Sequence, residues 1–272
     1  MRIRVRAPAT TANIGPGFDC AAAALELWTE VEVAEDGPPP NRDHLAVRAF
    51  ERIAPLDGLG FSFTDRIPRE RGLGSSAATI ALGLVSGALV AGRDLDPEEL
   101  LALGLDLEGH PDNLAAALAG GVCLTWGGAI ARIADDAPGV PIAVVPAGRV
   151  ATAAARAALP ELVSHTDAAH TVGRAAVLGA ALATGSATLF AAAAAGDRLH
   201  EPYRAGGAPL LGALRERPPA GAIAVTLSGS GPTVIVWAEP AQVASCADEL
   251  RRLHPGNNVI PLAISQTGAG PA

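Results

Sequence analysis

Apolar and polar positions recur along the chain with two periods, and the switches between them mark out its elements. Ile3, Val5 and Ala7 alternate with Arg2, Arg4 and Arg6, which predicts a first strand near Ile3 to Ala7 with one face buried. Trp28 to Ala34 alternates in the same way and ends at the turn residues Glu35-Asp36-Gly37-Pro38-Pro39-Pro40. His44 to Ile53 has helical spacing, and Phe61 to Thr64 reads as a short strand. Thr79 to Val90 carries Ile80, Leu82, Leu84, Val85 and Leu89, the pattern of a buried helix. Asp94 to Pro97 reads as a turn and cap before a helix over Glu98 to Leu107. Strands are expected at Gly121 to Trp126 and Pro141 to Val145, and a soft domain boundary at Pro146. Beyond it lie a short alanine-rich helix from Thr152 stopped by Pro160, and one long helical region over His165 to Ala195. Strands over Ile223 to Leu227 and up to Trp237, an amphipathic helix near Ala241 to Leu253 and a strand near Asn258 to Ile264 complete the reading.

Composition narrows what this pattern can serve. With 272 residues, 49% of them hydrophobic, the chain can bury a core in one large domain or two small ones. A net charge of -8 argues against a general nucleic-acid binder, because phosphate backbones select basic surfaces, and points to a small-molecule partner. All 20 basic residues are arginine, beside heavy alanine use, so a single arginine carries weight only where its neighbours give a reason. Cys20, Cys123 and Cys246 form neither a disulfide framework nor a zinc pattern. Met1 leads straight into a strand pattern rather than a signal peptide, and no apolar run resembles a membrane span. A soluble, cytoplasmic protein without membrane partners is expected.

The chemistry concentrates around Gly72-Leu73-Gly74-Ser75-Ser76-Ala77-Ala78, which opens the buried helix. A helix start presents unpaired N–H groups and the positive end of the dipole, and glycines let an anion approach the backbone. The loop therefore reads as a phosphate cradle or, taken alone, as a turn with Ser75 or Ser76 as N-cap. A P-loop is excluded because the chain has no lysine. A dinucleotide fingerprint is opposed by the charged, proline-broken Asp65-Arg66-Ile67-Pro68-Arg69-Glu70-Arg71 where a strand should stand.

Other strings are ambiguous by themselves. Asn13 and Asp19 in the loop from Pro8 to Asp19 fit Asx-turns. Asp112 or Asn113 fits a helix cap, and the i, i+2 spacing of His110 and Asp112 across Pro111 is not that of a helical metal pair. Arg156 on its alanine-rich helix reads as a solvated surface residue.

Taken together, the strings resemble the GHMP small-molecule kinases. Pro68, Gly72, Leu73, Gly74, Ser75, Ser76 and Ala77 match the family's second motif, P-x-x-x-G-L-G-S-S-A. Pro8 to Asp19 is similar to the first motif of the homoserine kinase branch, and Glu108-Gly109-His110-Pro111-Asp112-Asn113 to another of its strings. Thr152, Ala155, Arg156, Leu159 and Pro160 match S/T-x-x-x-A-R-x-x-L-P, Glu201-Pro202-Tyr203-Arg204 matches E-P-Y-R, and Ser228-Gly229-Ser230-Gly231-Pro232-Thr233 resembles the third motif. His170 and Thr171 stand where the family has Phe-Asn.

The resemblance implies an α+β fold of two domains with the active site between them. These are an N-terminal nucleotide-binding domain over residues 1–147 (ribosomal protein S5 domain 2-like) and a C-terminal ferredoxin-like α/β sandwich over 148–272. It implies transfer of a phosphoryl group from ATP to the side-chain hydroxyl of L-homoserine, on the path to threonine. A kinase for another small alcohol and a ligand-sensing relative are the other readings of the same motifs.

By this resemblance ATP is held by Pro68, Arg71, Gly72, Leu73, Gly74, Ser75, Ser76 and Ala77, and Mg²⁺ by Ser76 and Glu108, with Asp106 as the alternative carboxylate. Asn13, Asp19, His110, Arg156 and Arg204 line the homoserine site, the two arginines gripping its carboxylate. Asn113 and Thr152 orient the hydroxyl, since there is no lysine for the Lys–Asp pair of mevalonate kinase and galactokinase relatives. Ser228, Gly229, Ser230 and Gly231 form a structural glycine turn against the phosphate loop. The connections before the loop look short for the family, which bears on the adenine contacts, and a homodimer stays open.

Overall fold

A computed structural model describes residues 1–272. Its spine is the antiparallel pair β1 (Arg2–Ala12) and β2 (Ala21–Ala34), in register from Arg2 opposite Ala34 to Ala12 opposite Ala22. Both strands outrun their sequence signals. Pro8 looks like a strand end, yet the register shifts between Pro8 and Ala9, and such an irregularity is where a sheet accepts a residue without an N–H. The run Ala21 to Ala24 has little strand propensity of its own and is extended because it is buried between β1 and a later strand.

The chain continues through α1 (Leu45–Phe50), β3 (Gly60–Thr64), α2 (Ser75–Ala91), α3 (Pro97–Glu108), α4 (Pro111–Ala119), β4 (Val122–Trp126) and β5 (Ala129–Ala134). The first sheet runs β1-β2-β4-β5, with a short last strand at Gly270–Pro271 on the free edge of β1 and β3 on the outer part of β2. Helices α2 and α4 pack on it, and Ile80, Leu84 and Leu114, all fully buried, converge on Gly104 of α3.

The second half contains β6 (Val140–Val145), α5 (Thr152–Ala157), α6 (His165–Thr184), α7 (Ala187–Ala194), α8 (Glu201–Arg204), α9 (Pro209–Glu216), β7 (Ala222–Leu227), β8 (Val234–Ala238), α10 (Val243–Leu253), β9 (Asn258–Pro261) and β10 (Gly270–Pro271). Its antiparallel sheet has the order β7-β8-β6-β9, the split β-α-β arrangement of ferredoxin-like folds. Helices α9 and α10 cover one face in a core of their own, through Leu211, Leu214, Cys246 and Leu250. On the other face Phe190 meets Trp237 edge to ring, and this side belongs to the same buried cluster as the first sheet. The molecule is thus α+β, with two sheets sharing one continuous apolar core.

The helical region over 165–195 is two helices. Gly185 in the left-handed conformation, φ 68°, ends α6, and Ser186 caps α7 by accepting from the Leu189 amide. A division at residue 147 crosses the second sheet, because β6 precedes it and pairs with β8 and β9 beyond it. The chain end also returns to the first sheet, where β10 pairs with β1. No helix is long and apolar enough to cross a membrane.

Candidate active site

The glycine loop leads directly into α2, whose N-cap is Gly74, with φ 64° and no side-chain cap. Neither serine caps the helix, so the first-turn amides of Ser75, Ser76 and Ala77 stay open to an anion. Glycine is obligatory here for space as well as conformation. A Cβ on Gly74 would stand 1.8 Å from Thr10 Oγ1, and one on Gly72 would stand 2.2 Å from the Ser228 carbonyl oxygen.

The loop is clamped from two sides. The Thr10 amide donates to the Leu73 carbonyl at 3.1 Å, and Ser228 Oγ donates to the Gly72 carbonyl at 2.6 Å. The turn after β7 also docks on the first strand, the Gly229 amide donating to the Ala12 carbonyl at 3.1 Å. The Gly229 carbonyl then accepts from Asn13 Nδ2 at 3.0 Å and from Arg204 Nη1 at 3.2 Å. This one carbonyl joins the two halves of the molecule at the site.

Between β1 and β2 the backbone is held in an unfavourable region. Asn13, Ile14 and Asp19 have φ of 70°, 43° and 54°, and for a β-branched isoleucine this is a true outlier. Such positions cost on the order of 1–3 kcal/mol each and gather where a site needs a fixed geometry. Asn13 Oδ1 takes the Asp19 amide at 2.9 Å, six residues on rather than the two of an Asx-turn, and Asp19 pairs with Arg156; the Asx-turn reading is replaced by a bond across the loop that sets Asp19 in the cleft.

The corner between α3 and α4 brings in three more groups. Ser76 Oγ donates to Glu108 Oε2 at 2.5 Å, and burial pushes the Glu108 carboxyl up to about 7. A hydroxyl and a carboxylate side by side at the open helix end fit a hard cation that takes one or two protein oxygens and completes its shell with phosphates and water. No cluster of three acidic, His or Cys side chains forms an all-protein metal cage. Asp106, the alternative carboxylate, lies outside the cleft, exposed and paired with Arg52 at 2.6 Å.

Asn113 accepts from Thr10 Oγ1 through Oδ1 at 2.7 Å, which leaves its amide hydrogens as the groups it can offer a ligand. Beside it Asp112, 2% exposed, takes the Asn113 amide at 2.7 Å and lines the same cleft, and burial raises its carboxyl to about 6. The cap reading does not hold: His110 is the N-cap of α4, without a side-chain cap bond, and Asp112 and Asn113 stand in the first turn, where they form part of the cleft wall. A carboxylate in the first turn of a helix after a proline has no sequence signal separating cap from site. His110 also lines the cleft, and burial, followed by the charge of Arg156, lowers its proton affinity.

Opposite the helix end stand the two arginines, about fifty positions apart in sequence. Arg156 Nη2 donates to Asp19 Oδ2 at 2.6 Å, so it is not a free surface residue. Arg204 is 7% exposed and held by Nη1, while its buried Nε has no protein partner. Both guanidinium carbons lie 5.2 Å from the Phe18 ring centroid, which brings them to one place. Arg204 lines the polar cleft and its Nη2 donates to no group of the chain, so this end of the guanidinium is suited to a carboxylate.

The cleft is lined by no apolar side chain and reaches from Asn13, Asp19, Arg204 and Thr152 at one end to Gly72, Gly74, Ser75, Ser76 and Glu108 at the other, with Gly229 and Ser230 on its wall. Four residues of the expected nucleotide set stand back from it. Arg71 donates to the Pro146 and Ala147 carbonyls at 3.0 and 2.8 Å and braces the second half of the chain against the loop. Leu73 and Ala77 are fully buried, so only their backbone can matter, and Pro68 faces a separate depression beside Arg71. Gly231 and Ser228 act from behind, as turn and tie.

A second groove, sharing Glu70, Ser75 and Ser76 with the cleft, continues past Thr79 to Asn41, His44, Leu45, Arg69 and Arg149. Leu45 is its one apolar side chain. The pair that replaces Phe-Asn also has work to do. His170 Nε2 bonds the Gly196 carbonyl at 3.0 Å and Thr171 Oγ1 takes the Arg198 amide at 3.2 Å, anchoring the segment that leads to Arg204.

The chain is similar to known proteins over most of its length. The family described as "GHMP kinases N terminal domain" matches residues 44–121, and "GHMP kinases C terminal" matches residues 180–256. The chain is 41% identical to a homoserine kinase of Streptomyces avermitilis, over 92% of this chain and 89% of the relative. It is 39% identical to one of Moorella thermoacetica, over 88% of each. The crystal structure of homoserine kinase from Cytophaga hutchinsonii superimposes with a TM-score of 0.86 at 23% identity, over 100% of this chain and 97% of that one.

Proposed function

The chain belongs to the homoserine kinases of the GHMP kinase family, and we infer from that premise that its cleft transfers the γ-phosphoryl group of ATP to the side-chain hydroxyl of L-homoserine. The observation that carries the reading is the opposition, across one polar cleft, of an uncapped helix N-terminus and a pair of arginines.

The triphosphate lies on the open amides of Ser75, Ser76 and Ala77, with ribose and base in the groove toward His44 and Arg149. Ser76 and Glu108 would hold Mg²⁺, which would supply neutralisation of charge on the phosphates. Burial raises the affinity of Glu108 for a proton, so a proton and a cation would compete for its carboxylate.

At the other end the amino acid enters as a zwitterion. Its carboxylate takes Arg204 Nη2 and the Arg156 guanidinium, and its ammonium takes Asp19, so the Asp19–Arg156 pair is exchanged for two pairs with the substrate. The Asn113 amide donates to the acceptor hydroxyl, and the exposed Thr152 hydroxyl meets it from the second half of the molecule. Phosphoryl transfer through a loose transition state asks chiefly for alignment and charge stabilisation, so a site without a Lys–Asp pair is competent.

The test is a coupled assay of ADP release with Mg²⁺-ATP and L-homoserine, L-threonine, mevalonate or galactose. Release should depend on L-homoserine and fall sharply with the other three. Faster turnover of any of those three overturns the substrate assignment.

A further inference from the structure

His200 belongs to none of the sets that define the site, yet its ring joins Arg204 to the loop that carries Asp19. It is fully buried, its Nε2 lies 2.7 Å from the Gly15 carbonyl oxygen, and its Nδ1 lies 3.2 Å from Arg204 Nη1. A carbonyl oxygen can only accept, so Nε2 carries the proton, and a guanidinium can only donate, so Nδ1 offers its lone pair. The two partners demand the same neutral tautomer. A second proton would have to sit on Nδ1, facing the Arg204 guanidinium.

The other charged groups around the ring are already committed. Asp197 Oδ2, 3.7 Å from Nε2, takes the amides of His200 and Glu201 at 2.8 Å each. Glu201 is paired with Arg215 at 2.7 Å and takes the Leu227 amide at 3.1 Å. The Phe18 ring, which both guanidinium groups approach, stacks on His200 with 5.1 Å between centroids and 16° between planes.

We propose that His200 is the positioning residue of the substrate clamp: through Nδ1 it holds Arg204 by Nη1 with Nη2 left to a carboxylate, and through Nε2 and Phe18 it fixes the strained loop that carries Asp19 against the same arginine. The inference rests on the reading that Arg204 receives the substrate carboxylate. A histidine that merely filled core volume would be replaceable by an aromatic ring of similar size, and a positioning histidine would not. Its two hydrogen bonds also do different jobs, which separates them experimentally.

His200→Phe keeps the plane and the stacking on Phe18 and loses both bonds. It should raise the homoserine KM tenfold or more, with ATP affinity by calorimetry within twofold of the parent. His200→Asn returns an acceptor near the Nδ1 position, whereas His200→Gln reaches only toward Gly15. The Asn variant should therefore lie closer to the parent in homoserine KM than the Gln variant, and this comparison stands even if the Phe variant fails to fold. An unchanged homoserine KM in His200→Phe, or Gln restoring it as well as Asn, overturns the proposal.

Nitrogen NMR of the ligand-free protein tests the geometry without catalysis. The His200 ring should remain the neutral Nε2–H form between about pH 6 and 8, where an ordinary histidine titrates. A titrating ring, or the Nδ1–H form, overturns the proposal whether or not homoserine is the substrate. Failure of the parent to use homoserine, with this ring form intact, counts against the substrate reading instead.

Discussion

Asp112 pits stability against chemistry within one side chain. Its carboxyl is raised from an ordinary 3.8 to about 6, first of all by burial, so the folded chain binds that proton more tightly than the unfolded one. The corresponding stability is complete below about pH 4 and is lost as the pH rises through about 6, by up to roughly 3 kcal/mol. Asp112→Asn removes the buried charge and keeps an acceptor for the Asn113 amide. It should melt several degrees higher than the parent at pH 8, equal it near pH 4, and turn over more slowly. Equal gains at both pH values would show that the charge is not the cause. The arginines give the complementary test. Arg156→Ala and Arg204→Ala should each weaken homoserine binding by about 1.5–3 kcal/mol, roughly ten- to hundredfold, with ATP affinity kept. The buried Arg204 should show the larger loss. Arg93→Ala, exposed and in no ion pair, is the control; Arg174 is unsuitable because it bonds the Ala192 carbonyl and ties α6 to α7.

At the scale of the element, α2 carries its own control for the glycine loop. Gly74 before it and Gly92 after it share a φ of 64°, but a Cβ on Gly92 meets nothing within 4 Å, whereas on Gly74 it meets Thr10 Oγ1 at 1.8 Å and Asn113 Oδ1 at 3.0 Å. Gly92→Ala should therefore cost only the backbone strain, about 1 kcal/mol, and leave turnover intact. Gly74→Ala should also break the Thr10–Asn113 bond and with it ATP binding and turnover, measured by calorimetry and ADP release. Equal effects at the two ends would mean that conformation alone, and not close approach, requires the glycine. The start of this helix was legible in sequence because glycines beside serines before an apolar run admit few structures. The break between α6 and α7 was written in Gly185-Ser186 too, as a helix stop followed by a cap, but steady alanine periodicity on both sides masked it.

Across the whole molecule the last eleven residues tie the two sheets together. The Ser265 carbonyl takes the Gly121 amide at 2.7 Å, the Ala269 amide donates to the Ala117 carbonyl at 2.7 Å, and Leu262 bonds Pro141 at 2.9 Å. Gly268 lies so close to the end of α4 that a Cβ there would come within 1.9 Å of the Leu118 carbonyl oxygen. Removing residues 262–272 should lower stability by several kcal/mol, at about 1 per backbone bond, as read by denaturant unfolding. It should also raise the KM of both substrates, since α4 carries Asp112 and Asn113 while the tail itself lines no part of the cleft. A truncated chain with unchanged kinetics would mean that α4 is held without the tail.

The sequence by itself determined the local chemistry of this protein: an anion cradle at a helix start, the strands and helices whose apolar period was strong, and, through strings of residues in order, the family. These are properties of neighbours, set by backbone conformation and side-chain type within a few positions. What is set by distance in the fold was decided only by the tertiary structure. Pro8 lies inside a strand because an irregular register shelters it, and Ala21 to Ala24 are extended because strands flank them on both sides. Arg71, adjacent to the cradle in sequence, turns away because the Pro146 and Ala147 carbonyls need a donor. Asp112 becomes a cleft carboxylate, and His200 the link between Arg204 and the first loop, because the packing of the two halves buries them there. Burial and partnership come from chain segments far apart, up to the 185 positions between Gly15 and His200, and no local pattern encodes them.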